Sequence, residues 1–99
     1  MFNTNQSLTV KQCIDARPDE LEQAVMFMTA EDLVTLVERL EVALEQTLKE
    51  ENCMNKKRLA QNTLERRLAY NRKYTRLRAR AGHIEAVLGE LYQILPPAP

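Results

Sequence analysis

The side chains that could do acid–base, nucleophilic or metal chemistry are few and stand apart from one another. The single histidine, His83, has no cysteine near it, and Cys13 and Cys53 form neither a CxxC pair nor a metal-ligand cluster. Carboxylates such as Glu38 and Glu41 share a helix face, where they serve as a solvated surface or as partners for arginines. Nucleophilic catalysis needs a nucleophile oriented by a base, and metal catalysis needs converging ligands. The sequence therefore predicts a protein that is not an enzyme, with no catalytic residue, cofactor or metal.

A basic stretch is the strongest chemical signal in the chain. Lys and Arg contact phosphates, and Tyr70 and Tyr74 within the stretch could stack on nucleic-acid bases, although their helical spacing predicts that they are buried. On a helical wheel the bases spread over most of the circumference, which is unlike a single DNA-contacting stripe. Nucleic acid is therefore a candidate partner but not the favoured one. The residues predicted to contact it, or another acidic partner, are Lys56, Lys57, Arg58, Arg66, Arg67, Arg72, Lys73, Arg76, Arg78 and Arg80.

The charges divide the chain into two halves of opposite sign. Residues 1–53 carry eleven acids and four bases, a formal charge of −7, and residues 54–99 carry ten bases and three acids, a charge of +7. Such asymmetry indicates either that the halves attract each other, within or between chains, or that the basic half meets an acidic partner. In the first case, Glu38, Glu41, Glu45, Glu50 and Glu51 are predicted to face the bases of residues 56–80.

The composition is that of a single small helical domain. With 44% hydrophobic and 28% charged residues, two Gly and no Trp, the 99 residues have too few turn-forming residues for a β-sandwich or barrel. No apolar run approaches the roughly 18 residues of a membrane span, and the N-terminal residues do not resemble a secretory signal. Isolated cysteines are typical of a reducing compartment. We expect an all-α protein in the cytoplasm without a membrane partner.

Capping signals and helical periodicity predict the order of the elements. Residues 1–8 are predicted to form a flexible start and residues 9–28 two short helices, the first opening at Thr9 and the second running from Asp19 to about Met28, with Pro18 well placed at its first turn. An acidic long helix is expected over residues 30–52, followed by a long helix over 55–95 that is first basic and then carries heptads. A Pro-rich tail occupies residues 96–99. No Gly or Pro interrupts residues 30–81, and Asn52–Asn55 is the only candidate turn.

Heptad spacing predicts a coiled-coil seam that binds a partner. The apolar side chains repeat at intervals of four and three residues, which is typical of coiled-coil packing. Leu64 and Leu68 fall away from this seam, so the helix is expected to change its buried face near Tyr70. A second stripe, of small residues, lies on the face of this helix opposite the seam and consists of Ala79, Gly82, Ala86 and Gly89. The seam residues are Leu33, Val37, Leu40, Leu44, Tyr70, Tyr74, Leu77, Ile84, Leu88, Leu91 and Leu95.

The expected function is that of an oligomerisation or protein-interaction module, acting as an adaptor, chaperone or regulator through helix–helix pairing. A 40-residue helix is about 60 Å long, and one short chain cannot cover both its faces, which predicts a homodimer or higher oligomer that also binds another protein. The alternatives left open are one continuous helix over residues 30–81, or an internal antiparallel hairpin that turns at Asn52–Asn55.

Two segments resemble the oligomerisation region of bacterial H-NS-type nucleoid-structuring proteins. Residues 29–44 look like the long helix of that region and likewise follow two short helices, and residues 74–84 with Leu88 and Leu91 are similar to its second contact helix. The chain differs at its end, where Pro96 to Pro99 stand in place of a linker and a DNA-binding domain. The resemblance implies a relative without that domain, which would pair with oligomers of a full-length member.

Overall fold

The computed structural model describes residues 9–95, which form four helices and no strand. Helix α1 spans Val10–Asp15, α2 spans Pro18–Met26, α3 spans Ala30–Leu59 and α4 spans Leu64–Ile94. The predicted all-α class is confirmed. Within the described residues, no helix is both long and apolar enough to cross a membrane.

Threonine side chains cap the N-termini of three of the helices. The Thr9 Oγ1 accepts a hydrogen bond from the Gln12 backbone N at 3.1 Å, and the Gln12 Oε1 accepts one from the Thr9 N at 2.8 Å. Thr29 caps α3 and Thr63 caps α4 in the same way, at 3.0 and 3.3 Å. Each hydroxyl satisfies one of the backbone N–H groups that a helix start leaves without a partner.

Helices α3 and α4 form an antiparallel hairpin that turns at residues 60–63. The predicted turn at Asn52–Asn55 is wrong, because α3 continues through these residues to Leu59, so residues 55–59 complete α3 and do not begin α4. Within α3, the Asn55 Oδ1 accepts a hydrogen bond from the Arg58 Nε at 2.8 Å, so this asparagine makes a side-chain contact within the helix and does not form a turn. The helices contain 30 and 31 residues. This matched length allows each to cover the apolar face of the other.

The hydrophobic core lies in the half of the hairpin far from its turn. Leu36 and Leu40 of α3 and Ile84 and Leu91 of α4 are fully buried there. Helices α1 and α2 pack against the same cluster through Cys13, Leu21 and Val25. The resulting molecule is elongated, with extents of 52 × 32 × 18 Å.

Candidate interaction surfaces

Most of the predicted seam is buried within one chain. In this hairpin α3 and α4 cover one another, so the seam residues far from the turn belong to the core and do not form an open partner surface, whereas Tyr70, Tyr74 and Leu77 lie nearer the turn, outside that core. Leu33, Val37, Leu40, Ile84, Leu88 and Leu91 are buried, and Leu44, Tyr70, Tyr74, Leu77 and Leu95 are half-buried. The premise that one chain cannot cover its long helix is therefore corrected: the turn converts one long helix into two that protect each other.

Seven of the ten predicted basic contacts lie around the turn of the hairpin, and Arg76, Arg78 and Arg80 lie farther along α4. Lys56, Lys57 and Arg58 end α3, and the others lie on α4 between Arg66 and Arg80. All are exposed except Arg58, which is half-buried. We call residues 56–73, which surround the turn, the basic end.

The acids of α3 do not pair with these bases. Within residues 9–95 the ion pairs closer than 4.0 Å are Arg17–Asp19, Arg17–Glu20 and Lys49–Glu45. Most acids of α1 to α3 lie toward the opposite end of the hairpin; Glu41 and Lys57 are about 24 Å apart along the helix axis at 1.5 Å per residue. This distance exceeds the Debye length of about 8 Å at physiological salt, so solvent screens the attraction. The separation of charge is partial, because the acids up to Glu41 lie away from the basic end, whereas Glu45, Glu50 and Glu51 lie on the part of α3 that runs alongside Arg72 to Arg80 of α4.

Both tyrosines of the basic stretch are covered by cations of the same chain. The Arg58 guanidinium lies 4.3 Å from the centroid of the Tyr74 ring, and the Lys73 Nζ lies 5.9 Å from that of Tyr70. Arg58 also donates a hydrogen bond to the Asn71 Oδ1 at 3.1 Å, which links α3 to α4. Each half-buried ring therefore has a cation of the same chain near it, and the Tyr74 ring takes part in the contact between α3 and α4.

Three leucines of the basic end are exposed to solvent. Leu59 is 63% exposed, Leu64 73% and Leu68 50%. The predicted change of buried face near Tyr70 is wrong, because α4 keeps one face toward α3 and its first turns leave Leu64 and Leu68 uncovered. The signal in the sequence was their departure from the heptad spacing, which indicated exposure here and not a second core.

The reactive side chains remain separate in space. Cys13 is buried, and this burial raises the pKa of its thiol to about 11, whereas Cys53 is exposed. His83 lies on the exposed side of α4. Among the described residues, no three His, Cys, Asp or Glu side chains come together as they would to hold a metal ion.

A shallow depression beside the hairpin is lined by Leu48, Glu51, Asn52, Asn55 and Tyr74. Its polar lining consists of one carboxylate, two amides and the phenol of Tyr74. The exposed leucines and bases around the turn are therefore a stronger candidate for an interaction surface than this depression.

Comparison of the chain with protein-family models, with curated proteins and with solved structures finds no match.

Proposed function

We propose that this protein is a non-enzymatic interaction module, an adaptor or regulator whose basic end binds an acidic, amphipathic helix of a partner protein. The observation that carries the proposal is the combination of exposed Leu59, Leu64 and Leu68 with surrounding bases that form no ion pair within residues 9–95. Heptad spacing supports coiled-coil packing between α3 and α4, which would give this surface a stiff support.

Apolar and cationic groups on one surface favour a protein partner. Burying an exposed leucine side chain is worth about 1.5–3 kcal/mol, and a phosphate backbone offers no apolar surface that could bury it. An amphipathic helix with leucines on one side and glutamates along its edges matches both features, as in helix-in-groove recognition. The bases would then contribute mainly to the association rate and to specificity.

The unpaired bases also favour a second candidate, a nucleic-acid-associated regulator. Either the basic stretch contacts phosphates directly, or the chain acts as an H-NS-like modulator. Direct binding would be governed by counterion release and would weaken steeply as salt rises. The leucines would have no role in it.

Substitutions of the leucines and of the bases distinguish the two candidates. Fluorescence anisotropy would measure binding to three labelled probes, a synthetic Glu/Leu amphipathic helix, duplex DNA and single-stranded RNA, at low and high salt. In the double variant Leu59→Gln/Leu64→Gln we expect lost peptide binding at either salt concentration. Val34→Gln/Val42→Gln is the matched control, since it alters exposed apolar residues far from the turn.

The second candidate predicts a different pattern. DNA or RNA binding that disappears in Lys56→Glu/Lys57→Glu but is unchanged in the leucine variant would favour the nucleic-acid function. Peptide binding that survives the leucine substitutions would contradict the proposed docking surface.

A further inference from the structure

The outer side of α4, opposite its contact with α3, is an uncovered face of small residues. Ala79, Gly82, Ala86 and Gly89 are all exposed and follow one another at intervals of three and four residues. Leu68 extends the same face toward the turn and is half exposed. We call this the outer face of α4.

Neither glycine of the outer face is explained by the packing of one chain. A Cβ atom built on Gly82 or on Gly89 would meet nothing within 4 Å, and neither glycine has a positive φ. Glycine is also a much weaker helix former than alanine. Both positions could therefore hold a larger side chain in an isolated chain. Their small size does, however, allow a second helix to approach α4 closely from outside.

Charged side chains border the outer face in a self-complementary pattern. Arg72 and Glu90 are five helical turns apart and lie along one border, and Arg78 and Glu85 are two turns apart and lie along the other. The midpoint of each pair falls at or beside Ala81, next to Gly82. One two-fold axis at this point therefore exchanges the positive and negative members of both pairs.

We propose that the outer face of α4 binds a second copy of this chain, with the two α4 helices antiparallel and crossing near Gly82. In an antiparallel pair related by a two-fold axis, the same border of each helix meets itself. Arg72 then faces Glu90 of the second copy, and Arg78 faces Glu85 of the second copy. Symmetry repeats each contact, which gives four complementary charge pairs around a tightly packed line of Ala and Gly.

The alternative parallel arrangement is disfavoured by the same charges. A parallel two-fold pair brings opposite borders together, with Arg72 offset from Arg78 of the second copy by about 9 Å along the axis and Glu85 offset from Glu90 by about 7.5 Å. This arrangement forms none of the complementary pairs, so the charges favour the antiparallel orientation.

Dimerisation through the outer face goes beyond the proposed function and shares only Leu68 and Arg72 with the proposed docking surface. Antiparallel pairing leaves Leu59 and Leu64 outside the overlap of the helices and points the two basic ends in opposite directions. A dimer would therefore present two docking surfaces, and loss of one property would leave the other measurable.

The first test substitutes Gly82. Sedimentation velocity over a concentration series should show a dimer for the parent chain and for Gly82→Ala, and a monomer for Gly82→Leu, whose side chain blocks the close approach. Both variants should keep or raise the thermal midpoint of the monomer, because Ala and Leu are better helix formers than Gly. Ala69→Leu, which adds the same side chain on another exposed side of α4, should remain dimeric. A Gly82→Leu variant that dimerises like the parent, or a parent that stays monomeric at high micromolar concentration, would overturn the proposal.

Cross-linking reports the orientation of the helices. In a Cys53→Ser background, Gly82→Cys lies near the two-fold axis and should form a disulfide between copies on mild oxidation. Thr75→Cys should not, because its two copies would be about 18 Å apart along the axis, beyond the Cα separation of about 7 Å that a disulfide spans. Equal cross-linking at both positions would indicate a parallel pair and refute the antiparallel one.

A charge exchange tests the borders directly. Glu90→Arg should raise the dimer dissociation constant by up to about tenfold, since symmetry removes two exposed ion pairs of modest strength. Addition of Arg72→Glu should restore the parental value. Failure of the double variant to recover would contradict the pairing of these two residues.

Discussion

The burial of Leu91 allows a sharp test of the hairpin. This side chain is 0% exposed and belongs to the cluster shared by α1 to α4. Leu91→Ala removes about three methylene equivalents, worth about 2.4 kcal/mol of transfer free energy at about 0.8 kcal/mol each. The cavity that remains adds to this, and the total of about 3–4 kcal/mol lies within the range of core Leu→Ala substitutions.

Such a loss is a large part of the stability of a chain this size. A 99-residue domain unfolds with about 5–15 kcal/mol, and each kcal/mol corresponds to a shift of about 4–8 °C in Tm. We therefore expect Leu91→Ala to lower the Tm by about 12–30 °C. Urea and thermal unfolding followed by far-UV circular dichroism would measure the change, at concentrations low enough that association does not contribute.

The matched control is Leu64→Ala, which makes the same chemical change at a side chain that is 73% exposed. Its free energy of unfolding should change by no more than about 0.5 kcal/mol. If the two substitutions have equal effects, or if Leu91→Ala costs less than about 1 kcal/mol, the arrangement of α4 on α3 described above is incorrect.

Three further predictions concern a cap, a thiol and the charge separation. Thr29→Ala should destabilise the chain by about 1 kcal/mol in urea unfolding, since it removes the N-cap of α3, whereas Thr29→Ser should retain most of the stability. Burial raises the pKa of the Cys13 thiol from 9.0 to about 11, so the contribution of this thiol to stability is complete below pH 9 and is lost as the pH rises through 11. At pH 8 a thiol reagent should modify the exposed Cys53 rapidly and the buried Cys13 only on unfolding. Glu38→Lys/Glu41→Lys should change the free energy of unfolding by less than about 1 kcal/mol at any ionic strength, since neither acid has a cation within 4.0 Å in residues 9–95; a large loss at low salt would show that the acidic and basic halves meet.

The sequence by itself determined the helical class and the positions that are covered. Two glycines in 99 residues and the spacing of Leu33, Val37 and Leu40, continued by Ile84 and Leu88, are local properties that any tertiary arrangement must accommodate. Apolar side chains at heptad spacing lie on one face of a helix whatever covers that face. For this reason the periodicity identified buried residues correctly while the identity of the covering element remained open.

Only the tertiary structure decided where the chain turns. Asn52–Asn55 and residues 60–63 both lack Gly and Pro, and local propensities differ too little to distinguish them. The turn at residues 60–63 gives α3 and α4 nearly equal lengths, 30 and 31 residues, so that each covers the other, which is a property of the pair and not of either segment.

The same turn decided which surfaces are available to partners. It placed most of the predicted seam between α3 and α4, where a partner cannot reach it. It also stacked Arg58 on Tyr74 and left Leu59 and Leu64 exposed among bases. The turn also placed the acids of α1, α2 and the first half of α3 away from the bases at the turn, whereas the later acids of α3 lie alongside α4 without an ion pair to it in residues 9–95. Charge composition is additive along a sequence, but neutralisation requires proximity, and proximity is set by the path of the chain in three dimensions.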